Sequence, residues 1–123
     1  MKRGLFTAFL FTVLFSWAAI GEEDPYKPIA DVMPEPVGGY ESLYKKIVYP
    51  DLARKSGVQG KIYVLVYINE TGTVDDAKVV KGIGAGCDEA ALDVIKKAKF
   101  SPGKIQGQAS KIKLTVPFIF KLG

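Results

Sequence analysis

The chain has 123 residues, 48% apolar, 24% charged and 11% aromatic, with one cysteine and no histidine. That length suits one small domain, and the absent histidine excludes Ser-His-Asp and Cys-His catalysis and the usual Cys/His zinc site. The lone Cys87 forms no intrachain disulfide. The formal charge of +4 is unevenly spread: residues 22–41 hold six acids against one base, and residues 42–123 hold 14 bases against 7 acids. An acidic arm thus leads into a basic domain, which permits contact with anionic surfaces without requiring it.

Lys2 and Arg3 precede an apolar run from Leu5 to Ile20, with small residues, Ala19 and then Gly21, at its end before Glu22. Such a pattern predicts an export signal over residues 1–21 or, if uncleaved, a short membrane anchor. Sixteen helical residues span roughly 24 Å, short of the ~30 Å hydrocarbon core. In either case the remainder is expected outside the cytoplasm, free after cleavage or tethered by residues 4–21.

Residues 22–37 contain Pro25, Pro28, Pro34 and Pro36. Each proline biases its predecessor away from helix, so an extended arm is expected. Having few large apolar groups, the arm is expected to stay unfolded against an ordering cost of ~1–2 kcal/mol per residue. Residues 38–123 then form the folded domain.

Tyr40, Leu43, Tyr44 and Ile47 fall at helical spacing and predict a short amphipathic helix over 40–48. Pro50 opens a second helix of barely two turns, with Asp51 at its start, Arg54 and Lys55 at its end and Gly57 just past it. Ile62, Val64, Val66 and Ile68 alternate with Tyr63, Leu65 and Tyr67, turn residues occupy 69–72, and a strand resumes at Val74: a β-hairpin. Asp75-Asp76 breaks the alternation and predicts a bulge. Asp88 reads as the N-cap of a helix whose buried stripe is Ala91, Val94, Ile95 and Ala98. From Lys111 to Phe120 the chain alternates again, with Ile112, Leu114, Val116, Phe118 and Phe120 inward. The order predicts an α+β, two-layer domain: a three-stranded antiparallel sheet with helices on one face.

Little in the chain carries chemistry. Asp75 and Asp76 project to opposite faces of a strand, so they make no acid pair. Gly82-Ile83-Gly84-Ala85-Gly86 lacks both the dinucleotide and the P-loop register. Cys87 reads as a small apolar filler. No enzyme, cofactor, metal or nucleic-acid partner is expected. The last strand does suggest binding. Pro117 cannot donate to a ladder, so this strand belongs at an edge, a template for another extended chain unless Lys111 and Lys113 blunt it.

Several motifs occur in order: Pro36-Val37-Gly38-Gly39, Tyr49-Pro50 with Ala53-Arg54, Gly57-Val58-Gln59-Gly60 before an alternating strand, and Gly72-x-Val74. Cys87-Asp88-Glu89-Ala90-Ala91, Phe100-x-Pro102-Gly103 and Val116-Pro117-Phe118-x-Phe120 complete the set. Over about residues 34–122 the chain resembles the TonB C-terminal domain. The resemblance implies structural roles for Gly38, Gly39, Tyr49, Pro50, Ala53, Arg54, Gly57, Gly60, Gly72, Asp88, Ala91, Phe100, Pro102 and Phe120. It implies a periplasmic module that binds TonB-dependent outer-membrane receptors, whose extended box segment adds as a strand beside the last one. Lys111, Ile112, Lys113, Leu114, Thr115, Val116, Pro117 and Ile119 would then be the partner-binding residues, with pairing strongest from Lys111 to Val116. An anchored chain would also meet an ExbB–ExbD motor and serve as an energy transducer for transport. The alternative is a structural module that forms a homodimer through the same edge or binds the cell wall.

Overall fold

The computed structural model describes residues 24–123. The expected signal or anchor over 1–21 lies outside the described residues, and among these no helix is long and apolar enough to cross a membrane.

Two short helices, α1 (Gly39–Tyr44) and α2 (Asp51–Ser56), precede the hairpin of β1 (Gly60–Ile68) and β2 (Val74–Lys81). Helix α3 (Cys87–Lys97) follows, then a small hairpin of β3 (Gly103–Ile105) and β4 (Gln108–Ser110), then β5 (Ile112–Phe120). The main sheet is antiparallel in the order β2-β1-β5, with Ile68 opposite Ile112 and Gly60 opposite Phe120. The central strand β1 shows why the period of two governs this domain. Ile62, Val64, Val66 and Ile68 are fully buried on one face, where Cys87, Ala91 and Ile95 of α3 and the side chains of Leu43 and Ala53 join them. This is the expected sheet with helices on one face.

Asp75 is the extra residue of a bulge, since Tyr67 pairs with Asp76 and Ile68 with Val74. A second bulge lies between Tyr63, opposite Lys81, and Val64, opposite Val79. It pushes Val80 out to 64% exposure.

Three expectations are corrected. Helix α1 ends at Tyr44 rather than continuing to 48, and Lys45 follows as its cap. Asp88 is not the N-cap of α3; Gly86 is, in left-handed conformation (φ 85°), with no side-chain cap. The Asp88 carboxylate instead accepts the N–H groups of Ile83 and Gly84 at 2.9 and 3.2 Å, and so holds the glycine loop against the helix it leads into. Third, the arm does not stand free. Val32 and Lys104 exchange two main-chain hydrogen bonds, Ser101 donates to the Glu35 carbonyl, and Val37 donates to that of Lys99. Pro34 and Pro36 are buried. Prolines arrive with φ already restricted, so their ordering costs less than that of an average residue, and the segment 99–104 gains partners for its main chain.

Candidate functional site

The outer edge of β5 is where a further strand could add. Its pairing register decides which groups point outward. Pro117, lacking an N–H, sits opposite Tyr63, so the odd-numbered residues turn their main-chain groups away from β1 and the even-numbered ones pair with it. Ile112 and Val116 are buried and Leu114 is half-buried. These three serve the sheet and its core rather than a guest's hydrogen bonds. Lys113, Thr115, Pro117 and Ile119 face the edge.

That edge divides into three parts. At its entry, the Lys27 N–H donates to the Lys111 carbonyl at 3.0 Å, and the Lys113 N–H donates to the Lys27 carbonyl at 3.0 Å. Lys27 and Ile112 thus form a parallel bridge. The expectation of free pairing from Lys111 onward is corrected here, because the arm already holds this part. Toward the exit, the Tyr44 hydroxyl donates to the Pro117 carbonyl at 2.8 Å, and its ring meets Phe118 edge-on at 5.6 Å. Between them, the Lys113 carbonyl and both main-chain groups of Thr115 have no partner among the described residues. Thr115 is exposed, and Ile119 beyond it is 66% exposed.

Side chains of the arm reinforce its hold. The Lys113 ammonium lies 2.9 Å from Asp24 Oδ2. That pairing lowers the Asp24 carboxyl below its ordinary value and raises Lys113. Tyr26 meets the Tyr67 ring edge-on at 5.0 Å and donates its hydroxyl to Asp75 Oδ2, while Lys111 Nζ lies 5.6 Å over the Tyr26 ring. The Asp75 bond pushes the Tyr26 phenol up to about 12. Nothing in the period-two reading of β5 signals these contacts; the only hint is the tyrosine among prolines in an acidic stretch.

The remaining motif residues build the frame. Gly38 and Gly39 turn the arm into α1 with positive φ. Pro50 is the N-cap of α2, Gly57 its left-handed C-cap, and Ala53 is fully buried. The Arg54 guanidinium lies 5.3 Å over the Tyr49 ring. Gly60 opens β1, Phe100 and Ala91 are buried, and Pro102 follows Phe100 where the chain passes Gly72. Among the described residues no group of three or more His, Cys, Asp or Glu side chains gathers as a metal site would require.

A three-stranded antiparallel sheet backed by helices, with one edge strand half open, defines a small two-layer α+β domain. Residues 45–122 match the family model described as the Gram-negative bacterial TonB protein C-terminal, and the chain belongs to that family. It is 33% identical over 75 residues to Protein TonB of Xanthomonas campestris, covering 60% of this chain and 34% of that protein. Against Protein TonB of Vibrio cholerae the identity is 31%, covering 60% of this chain and 31% of the relative. The matched stretch is thus about a third of these relatives' length. The longer of two Helicobacter pylori TonB-CTD solution structures superposes with a TM-score of 0.56 at 30% identity, over 68% of this chain and 77% of that one. The shorter gives 0.53 at the same 30% identity, over 66% of this chain and 86% of that one.

Proposed function

We propose that this periplasmic module binds an extended segment of an outer-membrane transport receptor by strand addition at β5, and that it acts as an energy transducer where it is tethered to the inner membrane. It is a binding module, not an enzyme. The observation that carries the reading is Thr115, whose N–H and C=O both face outward from an edge strand with no partner among the described residues. Unpaired main-chain groups on an edge strand are a template for an extended chain. Affinity then comes from ladder hydrogen bonds, and specificity from alternate side chains. The centre of pairing is the stretch from the Lys113 carbonyl through Thr115.

Titration of the chain with a synthetic receptor-box peptide tests this. Thr115→Pro removes the one free N–H in that stretch and should weaken binding at least fivefold, on the scale of one net hydrogen bond with its neighbours disturbed. Thr115→Ala keeps the donor and should bind nearly as the parent does. Equal binding by both variants would exclude this edge. Sedimentation of the unliganded chain separates a guest on this edge from a second copy of the same chain.

A further inference from the structure

We infer that the segment Asp24–Lys27 is a built-in occupant that closes the entry half of the β5 edge to extended peptides. Only the identity of the incoming chain rests on the proposed receptor binding; the closure itself stands on the arm's own contacts.

Closely spaced residues hold the arm by different means. Lys27 takes both outward main-chain groups that flank Ile112, accepting from Lys113 and donating to Lys111. Tyr26 is seated among Tyr67, Asp75 and the Lys111 ammonium. Asp24 reaches the Lys113 ammonium. Loops that merely drift past a sheet do not exchange reciprocal ladder bonds in register with it. The arm pairs as a strand would, running in the same direction as β5.

It also stops after one bridge. Pro28 bends the chain away, and the next main-chain pairing is with Lys104 through Val32. The Lys113 carbonyl and Thr115 therefore stay open just beyond the arm. A guest running parallel to β5 that engages them would bring its preceding residues to the place of Lys27. A longer guest must displace the arm, whereas a short one can start at Lys113. If the arm is docked nine-tenths of the time, the apparent affinity of a displacing guest falls about tenfold.

Two variants of the whole chain release the arm without touching β5. The first combines Tyr26→Ala with Lys27→Pro, which deletes the ring contacts and the donor. The second is Asp24→Lys, which sets like charge against Lys113. Hydrogen exchange at the Lys113 amide reads docking directly: it should quicken at least tenfold in the first variant while β1 and β2 amides keep their rates. A receptor-box peptide long enough to extend past Lys113 into the place of Lys27 should then bind the first variant about tenfold more tightly than the parent, with Asp24→Lys between them. A peptide of residues 24–30 supplied in trans should likewise bind the first variant about tenfold more tightly than the parent. Binding of the 24–30 peptide without binding of the box peptide would overturn the receptor reading and uphold closure by the arm. Unchanged Lys113 exchange, equal peptide affinity for parent and released chains, or no binding of either peptide to the released chains would overturn the closure.

Discussion

The Tyr49 ring stands edge-on to Phe120, with centroids 5.4 Å apart, and its hydroxyl donates to the Val58 carbonyl. One side chain thereby joins the entry to α2, the loop after it and the last residue of β5. Aromatic pairs prefer this edge-to-face arrangement, and a half-buried tyrosine is favoured where its hydroxyl finds an acceptor. Tyr49→Phe keeps the ring and loses the bond, so it should cost about 0.5–1.5 kcal/mol in urea unfolding. Tyr49→Ala loses the packing too and should cost about 3 kcal/mol or more. If Phe and Ala cost the same, the ring contact contributes nothing.

Gly72 is required by a neighbour rather than by its turn alone. A Cβ there would lie 1.8 Å from the Phe100 carbonyl oxygen, and its φ is +84°. The close approach exists because the Phe100 N–H donates to the Gly72 carbonyl at 2.9 Å, which brings the end of the β1–β2 turn onto the segment after α3. Gly72→Ala combines a steric clash with a left-handed backbone, and should cost about 2–4 kcal/mol with the Thr73–Lys99 pairing lost. Hydrogen exchange at Phe100 checks the second part.

Cys87 is fully buried at the start of α3, and burial pushes its thiol above the ordinary value, with Asp88 and Glu89 adding to the rise. Little thiolate is available at neutral pH, and access is closed. A thiol reagent should therefore label the native chain only at the rate of unfolding. Cys87→Ser should lower stability by about 1–3 kcal/mol through a poorly paired buried hydroxyl.

What the sequence makes visible depends on how much of an element's pattern comes from burial. β1 and β5 alternate because one face meets the helices and the other does not, so both were legible to within a residue or two. The β3–β4 hairpin was not. Its strands have three residues each, too short for a period, and its turn places Gln106 at φ 51° and Gly107 at φ 79°. A two-residue hairpin of that hand usually advertises itself with Asn or Asp before Gly. The docked arm was hidden for another reason. Prolines read as breakers of structure, yet here Pro34 and Pro36 are buried against a segment whose own strands were not foreseen. Half of the candidate site, the free edge around Thr115, follows from Pro117 as an edge marker; the occupied half depends on contacts far apart in the chain, Tyr26 with Asp75 49 positions on and Asp24 with Lys113 89 positions on.

The hold of the arm also has a pH signature, and its sign can be worked out group by group. The Asp75 bond raises the Tyr26 phenol from 10.0 to about 12. A raised group stabilises the docked state fully below its free value and loses that contribution as pH climbs through the raised one. Tyr26 therefore favours docking up to about pH 10 and releases it by about pH 12. Lys113, also raised by its partner Asp24, is lost in the same direction. On the acid side the Lys113 and Tyr26 bonds lower Asp24 and Asp75, respectively, below 3.8. Their contribution is present above 3.8 and disappears as pH falls through the lowered values. Docking should thus be flat across neutral pH and weaken at both extremes, where the main-chain bonds of Lys27 remain. Difference absorbance titration of the parent against Tyr26→Phe isolates this one phenol among the six tyrosines. Its midpoint should lie near 12 and drop toward 10 in Asp75→Asn. A midpoint near 10 in the parent would show that the Tyr26–Asp75 bond does not form, and with it one of the three supports of the arm would be gone.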